Sequence, residues 1–463
     1  MLQVPVEDLD VAPGHAIEWK LKANKARVGT PQQHQDTTYN QVKHFTAAQE
    51  SCRVNDPIVA YVGGTFEIEG LVDLQALEAA LLHLVRRHEV LRCTFQQIAG
   101  DLSCDVLRAE DVTLERFDRG TLETPGETRK YLHRFFQQVD PLSWPLIVMG
   151  AVQRPASTTV YFACDHLVSD GLSTPIAVHD IATAYSAIVR GRHPALPEVG
   201  SYLSFSREQR RQNAAMDADD RRLDYWKSFM ARNGGFFPPF PLDLGLQPHR
   251  FYPTVNETTQ LLESPQVEAM EAHCRAANGR LFMGLLAAVG VSLRKEGGPQ
   301  TYRTFMPVSE RNHRAHAHTM GWFINTMPLE FSVAPAQNFT QVLANARQAV
   351  SDMQRHIDVP FVQAWRLLAP EHFSTRSWPI AGNFFSYLDF RKAPGAHHHH
   401  TWRARKHIWA SHSNGICFWL HRADTGLYIN CIFADTPQAR QTKAAFTRTL
   451  KRTTMNIVSL GTF

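Results

Sequence analysis

The chain has 463 residues, 44% of them hydrophobic and 20% charged, a globular composition with room for two large domains or more. A formal net charge of +4 is too small at this length to imply a nucleic-acid partner. No apolar run reaches about 18 residues, and the acidic start at Glu7, Asp8 and Asp10 lacks the apolar stretch of a signal peptide; neither a membrane span nor a leader is expected.

Residues 1 to about 35 read as irregular and polar. Tyr39, Val42, Phe45 and Ala48 recur at helical spacing and predict an amphipathic helix over 38–50. Residues 57–68 read as a strand interrupted at Gly63 and Gly64. Asp73 is placed to cap a helix whose buried stripe is Leu77, Ala80, Leu81, Leu84 and His88. That helix runs into Arg-His-Glu-Val-Leu-Arg-Cys-Thr-Phe at 87–95, where a strand takes over.

Residues 158–164 are β-branched, aromatic and apolar, and predict a buried strand. Asp165-His166-Leu167-Val168-Ser169-Asp170-Gly171 follows as a tight loop, with Gly171 expected to let it turn. A helix is predicted next, with Thr174 as N-cap and Pro175 in its first turn. A histidine at a strand end can take a proton from a hydroxyl or amine near neutral pH, and the aspartate can fix the loop by pairing with a distant cation. A capped turn holding an incidental histidine is the alternative. Cys164 reads as core packing, and seven scattered cysteines without close pairing suggest reduced thiols inside a cell.

Residues 207–222 read as a solvated helix spanning the two halves, and 234–245, rich in Gly, Phe and Pro, as a loop. Helices are predicted over 265–277 and 280–293, and a strand over 302–307 leads to Arg311. His313, His316 and His318 read as surface residues. His397 to His400 form a tetra-histidine run. It reads as a flexible loop lining an acceptor entrance rather than a metal site, because no companion ligand cluster accompanies it.

Several of these stretches share one resemblance. Arg-His-Glu-x-Leu-Arg-x-x-Phe at 87–95 resembles a core motif of nonribosomal-peptide condensation domains, whose superfamily includes chloramphenicol acetyltransferase. Asp-His-x-x-x-Asp-Gly at 165–171 resembles that superfamily's active-site motif, with Asp165 in place of the first of two histidines. Gly321-Trp-Phe-Ile-Asn325-Thr and His356-Ile-Asp-Val-Pro-Phe361 are similar to later motifs of the same family, and Phe240 to Gly245 and 381–390 resemble segments of the mycobacterial polyketide-associated acyltransferases. The matches run in order from about 38 to 435.

The resemblance implies an α/β fold of two chloramphenicol-acetyltransferase-like lobes, mixed sheets with flanking helices, and an active-site tunnel between them. The divisions would be 1–195, a linker 196–245, and 246–463. It implies His166 as general base, with Asp170, Gly171 and Arg311 supporting its loop; Asn325, Ser309 and Asp165 are candidate oxyanion or substrate contacts. The reaction would move a long-chain acyl group from a CoA or carrier-protein thioester to a hydroxyl of a sugar such as trehalose, or of a lipid alcohol. No cofactor and no metal are expected, since the phosphopantetheine arm is substrate. A free-standing enzyme forming an amide, and a non-catalytic carrier-docking module, are the alternatives. Expected partners are the acyl donor, the acceptor and a polyketide synthase carrier domain. The expected place is the cytoplasm, with peripheral contact at the inner membrane face.

Overall fold

The computed structural model describes residues 1–23, 35–54, 56–98, 101–248, 250–334, 338–373 and 382–463. The chain forms two compact units. The first is Met1–Ala214, Glu310–Phe323 and Phe390–Ala410; the second is Ala215–Ser309, Ile324–Asp389 and Ser411–Phe463. The first change-over falls inside 196–245. Two later segments, 310–323 and 390–410, belong to the first unit, so the units interleave along the chain.

A seven-stranded sheet centres the first unit. Its order is Leu2–Gln3, Arg405–Ala410, Ala60–Glu69, Ser157–Cys164, Ile147–Gln153, Gly14–Ala23 and Val112–Leu122. Only Leu2–Gln3 pairs in parallel with its neighbour. Ser157–Cys164 lies inside this sheet, and every residue from Thr158 to Cys164 is buried, which accounts for its unbroken β-branched and aromatic run. Its neighbour Ala60–Glu69 continues through the two glycines without a break. A Cβ on Gly63 would stand 2.7 Å from the Phe162 carbonyl, and one on Gly64 would stand 2.7 Å from Thr174. These glycines allow close packing inside a strand; they do not interrupt it.

The helix Leu74–Arg87 starts as expected: the Asp73 carboxylate accepts from the Gln75 and Ala76 N–H groups at 2.8 and 3.1 Å. Leu77, Ala80, Leu81 and Leu84 are buried, and this helix packs against Ser173–Val189. Burying each large apolar side chain contributes about 1.5–3 kcal/mol. Tyr39–Arg53 begins with a capping box between Thr38 and Gln41.

Three expectations need correction. The polar start contains the ten-residue strand Gly14–Ala23, in which Trp19 and Leu21 are buried while Lys20 and Lys22 face out. Ser173 opens the helix after the loop, with Pro175 in its first turn, but Asp170, not Thr174, receives its first N–H groups. The charged stretch 207–222 is not one helix: Tyr202–Asn213 covers its first seven residues and ends, and a 3₁₀ turn begins at Arg221.

The second unit holds a five-stranded sheet ordered Ser386–Asp389, Ile416–Ala423, Gly426–Ala434, Tyr252–Glu263 and His412–Ser413. Helices Ser264–Ala276, Leu281–Lys295 and Pro437–Leu460 pack together in this unit. Thr301–Ser309 and Ile324–Ser332 form an antiparallel ribbon. Among the described residues no single helix is long and apolar enough to cross a membrane. Ser264–Ala276 and Leu281–Lys295 reach that length only as a pair bent by 96°.

Candidate active site

The strand Ser157–Cys164 ends at Asp165, which caps a short 3₁₀ turn, His166–Val168. His166 is half-buried, the only residue from Thr158 to Asp170 that keeps appreciable exposure. Its Nδ1 is buried and makes no hydrogen bond of ordinary geometry. The Trp322 ring lies 4.0 Å from the imidazole, centroid to centroid. Burial, with the nearby His44 second, pushes the pKa of His166 down to about 4. The ring is therefore neutral at physiological pH, the state a proton acceptor requires.

Asp170, four residues on, is fully buried and spends its carboxylate on donors. Oδ1 accepts from the N–H groups of Leu172 and Ser173 at 3.0 Å each, and from Arg311 Nη2 at 3.0 Å. Oδ2 accepts from Arg311 Nη1 at 2.5 Å and from the Phe323 N–H at 3.1 Å. Burial opposes the charge of Asp170, but the guanidinium and these hydrogen bonds outweigh it and hold the carboxyl below its ordinary range. Such a group shapes the loop and has no capacity left for a substrate. Gly171 does not use left-handed backbone; its carbonyl accepts from the buried Lys406 ammonium at 3.0 Å.

The segment 319–323 is stitched to the same loop. Arg311 donates to the Thr319 carbonyl, the Met320 N–H donates to His88 Nδ1 at 3.3 Å, and the Gly321 N–H donates to Ser173 Oγ at 3.3 Å. Gly321 is required here: its φ is +147°, and a Cβ would stand 2.4 Å from the Tyr202 ring. His88 Nε2 donates to the buried Asp180 at 3.0 Å, and Arg87 donates to the same carboxylate. The Arg-His pair at 87–88 thus joins the helix Ser173–Val189 to the segment that carries Trp322.

Asp165 was a candidate oxyanion or substrate contact, and the structure assigns it otherwise. It is buried, and its Oδ1 accepts from the Leu167 N–H at 2.7 Å and from His44 Nε2 at 2.9 Å. An anion there would repel an oxyanion. Asn325 and Ser309 lie in the second unit. The Asn325 amide donates to the Ile357 and Val359 carbonyls, both at 2.8 Å. Its oxygen accepts from the Thr326 and Phe361 N–H groups at 2.8 and 2.9 Å. With every position occupied by backbone, Asn325 builds a turn and has no donor left for an oxyanion. Ser309 is an exposed strand end.

Two ring partners of His166 were missed in the sequence. His44 lies on the helix Tyr39–Arg53, with its ring 6.3 Å from that of His166 and 5.6 Å from that of Trp322. The signal available was a Lys-His pair amid the buried positions of an amphipathic helix, together with an aspartate standing where a histidine is usual. Trp322 sat in a recognised motif without a role.

The remaining histidines do not form a metal centre: among the described residues no group of three or more ligating side chains is placed to hold an ion. The rings of His397 and His398 lie 4.1 Å apart, tilted by 47°, in a 3₁₀ turn, while His399 is buried between the Met1 amino group and the Pro394 carbonyl. That run is an ordered turn rather than a flexible loop. His316, expected at the surface, is buried against Phe323. Ala381 of the motif at 381–390 lies outside the described residues.

Comparison with known proteins gives these features a setting. A family model described as "Condensation domain" matches residues 60–380. The chain is 25% identical over 467 residues to 2'-acyl-2-O-sulfo-trehalose (hydroxy)phthioceranyltransferase PapA1 of Mycobacterium bovis, covering 99% of this chain and 89% of the relative. It is 26% identical over 461 residues to trehalose-2-sulfate acyltransferase PapA2 of the same organism, covering 95% and 93%. The solved structure of a PapA2 acyl transferase superposes with a TM-score of 0.88 at 23% identity, covering 99% of this chain and 100% of that one.

Proposed function

The chain belongs to the condensation-domain family, and from that premise we propose that it is an acyltransferase forming an ester on a sugar hydroxyl, with His166 as general base. The acceptor class follows its relatives, two of which are named for sulfated trehalose. The donor is a long-chain acyl thioester, carried on CoA or on a polyketide synthase carrier domain, and no cofactor takes part. The reading puts the protein in the cytoplasm, touching the inner membrane face when the product is a lipid.

One observation carries the base assignment: a neutral imidazole is the single side chain left partly open in a buried strand–turn segment. Nδ1 is enclosed, so Nε2 faces the reactants. Nε2 removes the acceptor's hydroxyl proton as that oxygen attacks the thioester carbonyl. The tetrahedral intermediate collapses, the C–S bond breaks, and the imidazolium returns its proton to the thiolate. No acyl-enzyme is formed. Cys164 fits no nucleophilic role: it is buried in the strand, and burial raises its thiol pKa well above the ordinary value. Holding two substrates at one ring supplies much of the acceleration.

The test is mass spectrometry of products from palmitoyl-CoA with a pool of trehalose, sulfated trehalose and long-chain alcohols. A sugar ester is expected. His166→Ala is expected to slow its formation by about 10²–10⁴-fold, the usual worth of a general base, with little change in melting temperature. A fully active His166→Ala protein ends the assignment; an amide formed only with an aminoacyl carrier ends the ester reading.

A further inference from the structure

The Asp165 carboxylate has no task in the mechanism above, yet it is an expensive group to bury. It stands one residue before the base, at the end of the same strand. A carboxylate can only accept, so in the 2.9 Å contact the proton lies on His44 Nε2. The helix carrying His44 is itself pinned to this turn, because Gln41 Nε2 donates to the Leu167 carbonyl at 2.8 Å. The rings of His44, Trp322 and His166 then close into one cluster, with centroid distances of 4.0, 5.6 and 6.3 Å. The carboxylate cannot swing away from the base without breaking two hydrogen bonds.

We propose that Asp165 and His44 are positioning residues for His166: His44 fixes the Asp165 carboxylate, and that fixed charge stabilises the imidazolium formed when His166 takes the acceptor's proton. The inference rests on the reading of His166 as the base. In the step it serves, the acceptor O–H bond breaks and the proton goes to His166 Nε2. The oxygen's electron pair forms the new C–O bond, the C–S bond breaks, and sulfur recovers the proton from Nε2. Asp165 and His44 exchange no proton with the substrates and end each turnover as they began. Asp165 favours the protonated state of His166, against the larger, opposing effects of burial and of His44 itself; His44 therefore helps only through the carboxylate it holds in place.

The simpler role for Asp165 is capping the turn through Leu167. Asp165→Asn separates the two roles, since its amide oxygen still accepts from that N–H while the charge is gone. Turnover is measured with palmitoyl-CoA and the acceptor acylated in the product screen. The proteins are the wild type, Asp165→Asn, His44→Leu, His44→Gln, the double variant Asp165→Asn/His44→Leu, and His166→Ala. Asp165→Asn is expected to lower kcat about tenfold while both KM values stay within about twofold, the pattern of a lost transition-state interaction. His44→Gln recovers most of what His44→Leu loses, because its amide nitrogen can donate to the same oxygen. The double variant is no slower than Asp165→Asn, since His44 acts through Asp165. Wild-type kcat in Asp165→Asn, or losses that multiply in the double variant, would overturn the inference and leave the base intact. Activity in His166→Ala would instead remove the base, and this proposal with it.

Discussion

The Asp165–Ser173 loop and the turn around Asn325 make an instructive pair. Both carry motif residues, both are buried, and both spend polar side chains on backbone N–H or C=O groups. Around Asn325 every hydrogen-bonding position of the amide is used. In the Asp165–Ser173 loop, Asp170 is used in the same way through both oxygens and Asp165 is tied through Oδ1, but His166 is left half-open between them. Two hydrogen-bonded carboxylates hold the turn, while the ring between them is left partly open. A motif residue therefore signals chemistry only where its polar atoms are left over.

The largest test of this contrast removes the cation that saturates Asp170. Arg311→Ala leaves a buried carboxylate with its charge unpaired, and breaking such a pair costs about 3–5 kcal/mol. Arg311→Lys should fall between, because an ammonium cannot reproduce the two-nitrogen grip. Urea unfolding measures both, and activity should follow the folded fraction.

The second test moves to the other turn. Asn325→Ala strands buried carbonyl and N–H groups, at about 1–3 kcal/mol for each left unpaired. The kcat of the folded protein should change by less than about threefold, whereas loss of a true oxyanion donor costs about 10²–10³-fold. A folded but inactive Asn325→Ala protein would return Asn325 to the chemistry and dissolve the contrast.

Much of the saturated scaffold was legible in the sequence because its signals are local. Asp73 before an apolar stripe and the β-branched run at 158–164 each lie within a few residues of what they build. The pairing of Asp170 with Arg311, 141 residues away, came from the family resemblance and not from spacing. The strand Gly14–Ala23 was legible too, in the unbroken alternation Ile17-Glu18-Trp19-Lys20-Leu21-Lys22, but the polar residues around it masked that short run. The His44–Asp165 contact spans 121 residues, and no periodicity rule reaches that far. Asn325 was misread for the opposite reason: an amide beside a motif looks available until its four backbone partners are seen.

The smallest effect to measure is that of acid, and it separates the two units. In the first unit burial lowers the pKa of His166 and His407 to about 4 and of His399 to about 3, and moves His88 the same way. These rings stay neutral in the fold while an unfolded histidine, at 6.5, takes up its proton. The unfolded state then binds more protons, so stability falls as the pH drops from about 6.5 toward 4. Asp165 and Asp170, held below their ordinary 3.8, add a further loss at still lower pH. Glu310 runs the other way: burial raises it to about 7, so acid relieves its charge between 7 and its ordinary 4.5. One opposing group does not offset four histidines. Hydrogen exchange, corrected for intrinsic rates, should show the first unit losing protection between pH 7 and 5 while the second keeps its own. Over the same range kcat/KM should show no inflection near 6.5 and should fall only as the pH nears 4, because the base is already neutral. An inflection near 6.5 would mean that in solution His166 is as open as a free imidazole, and the saturated frame around it would no longer explain its chemistry.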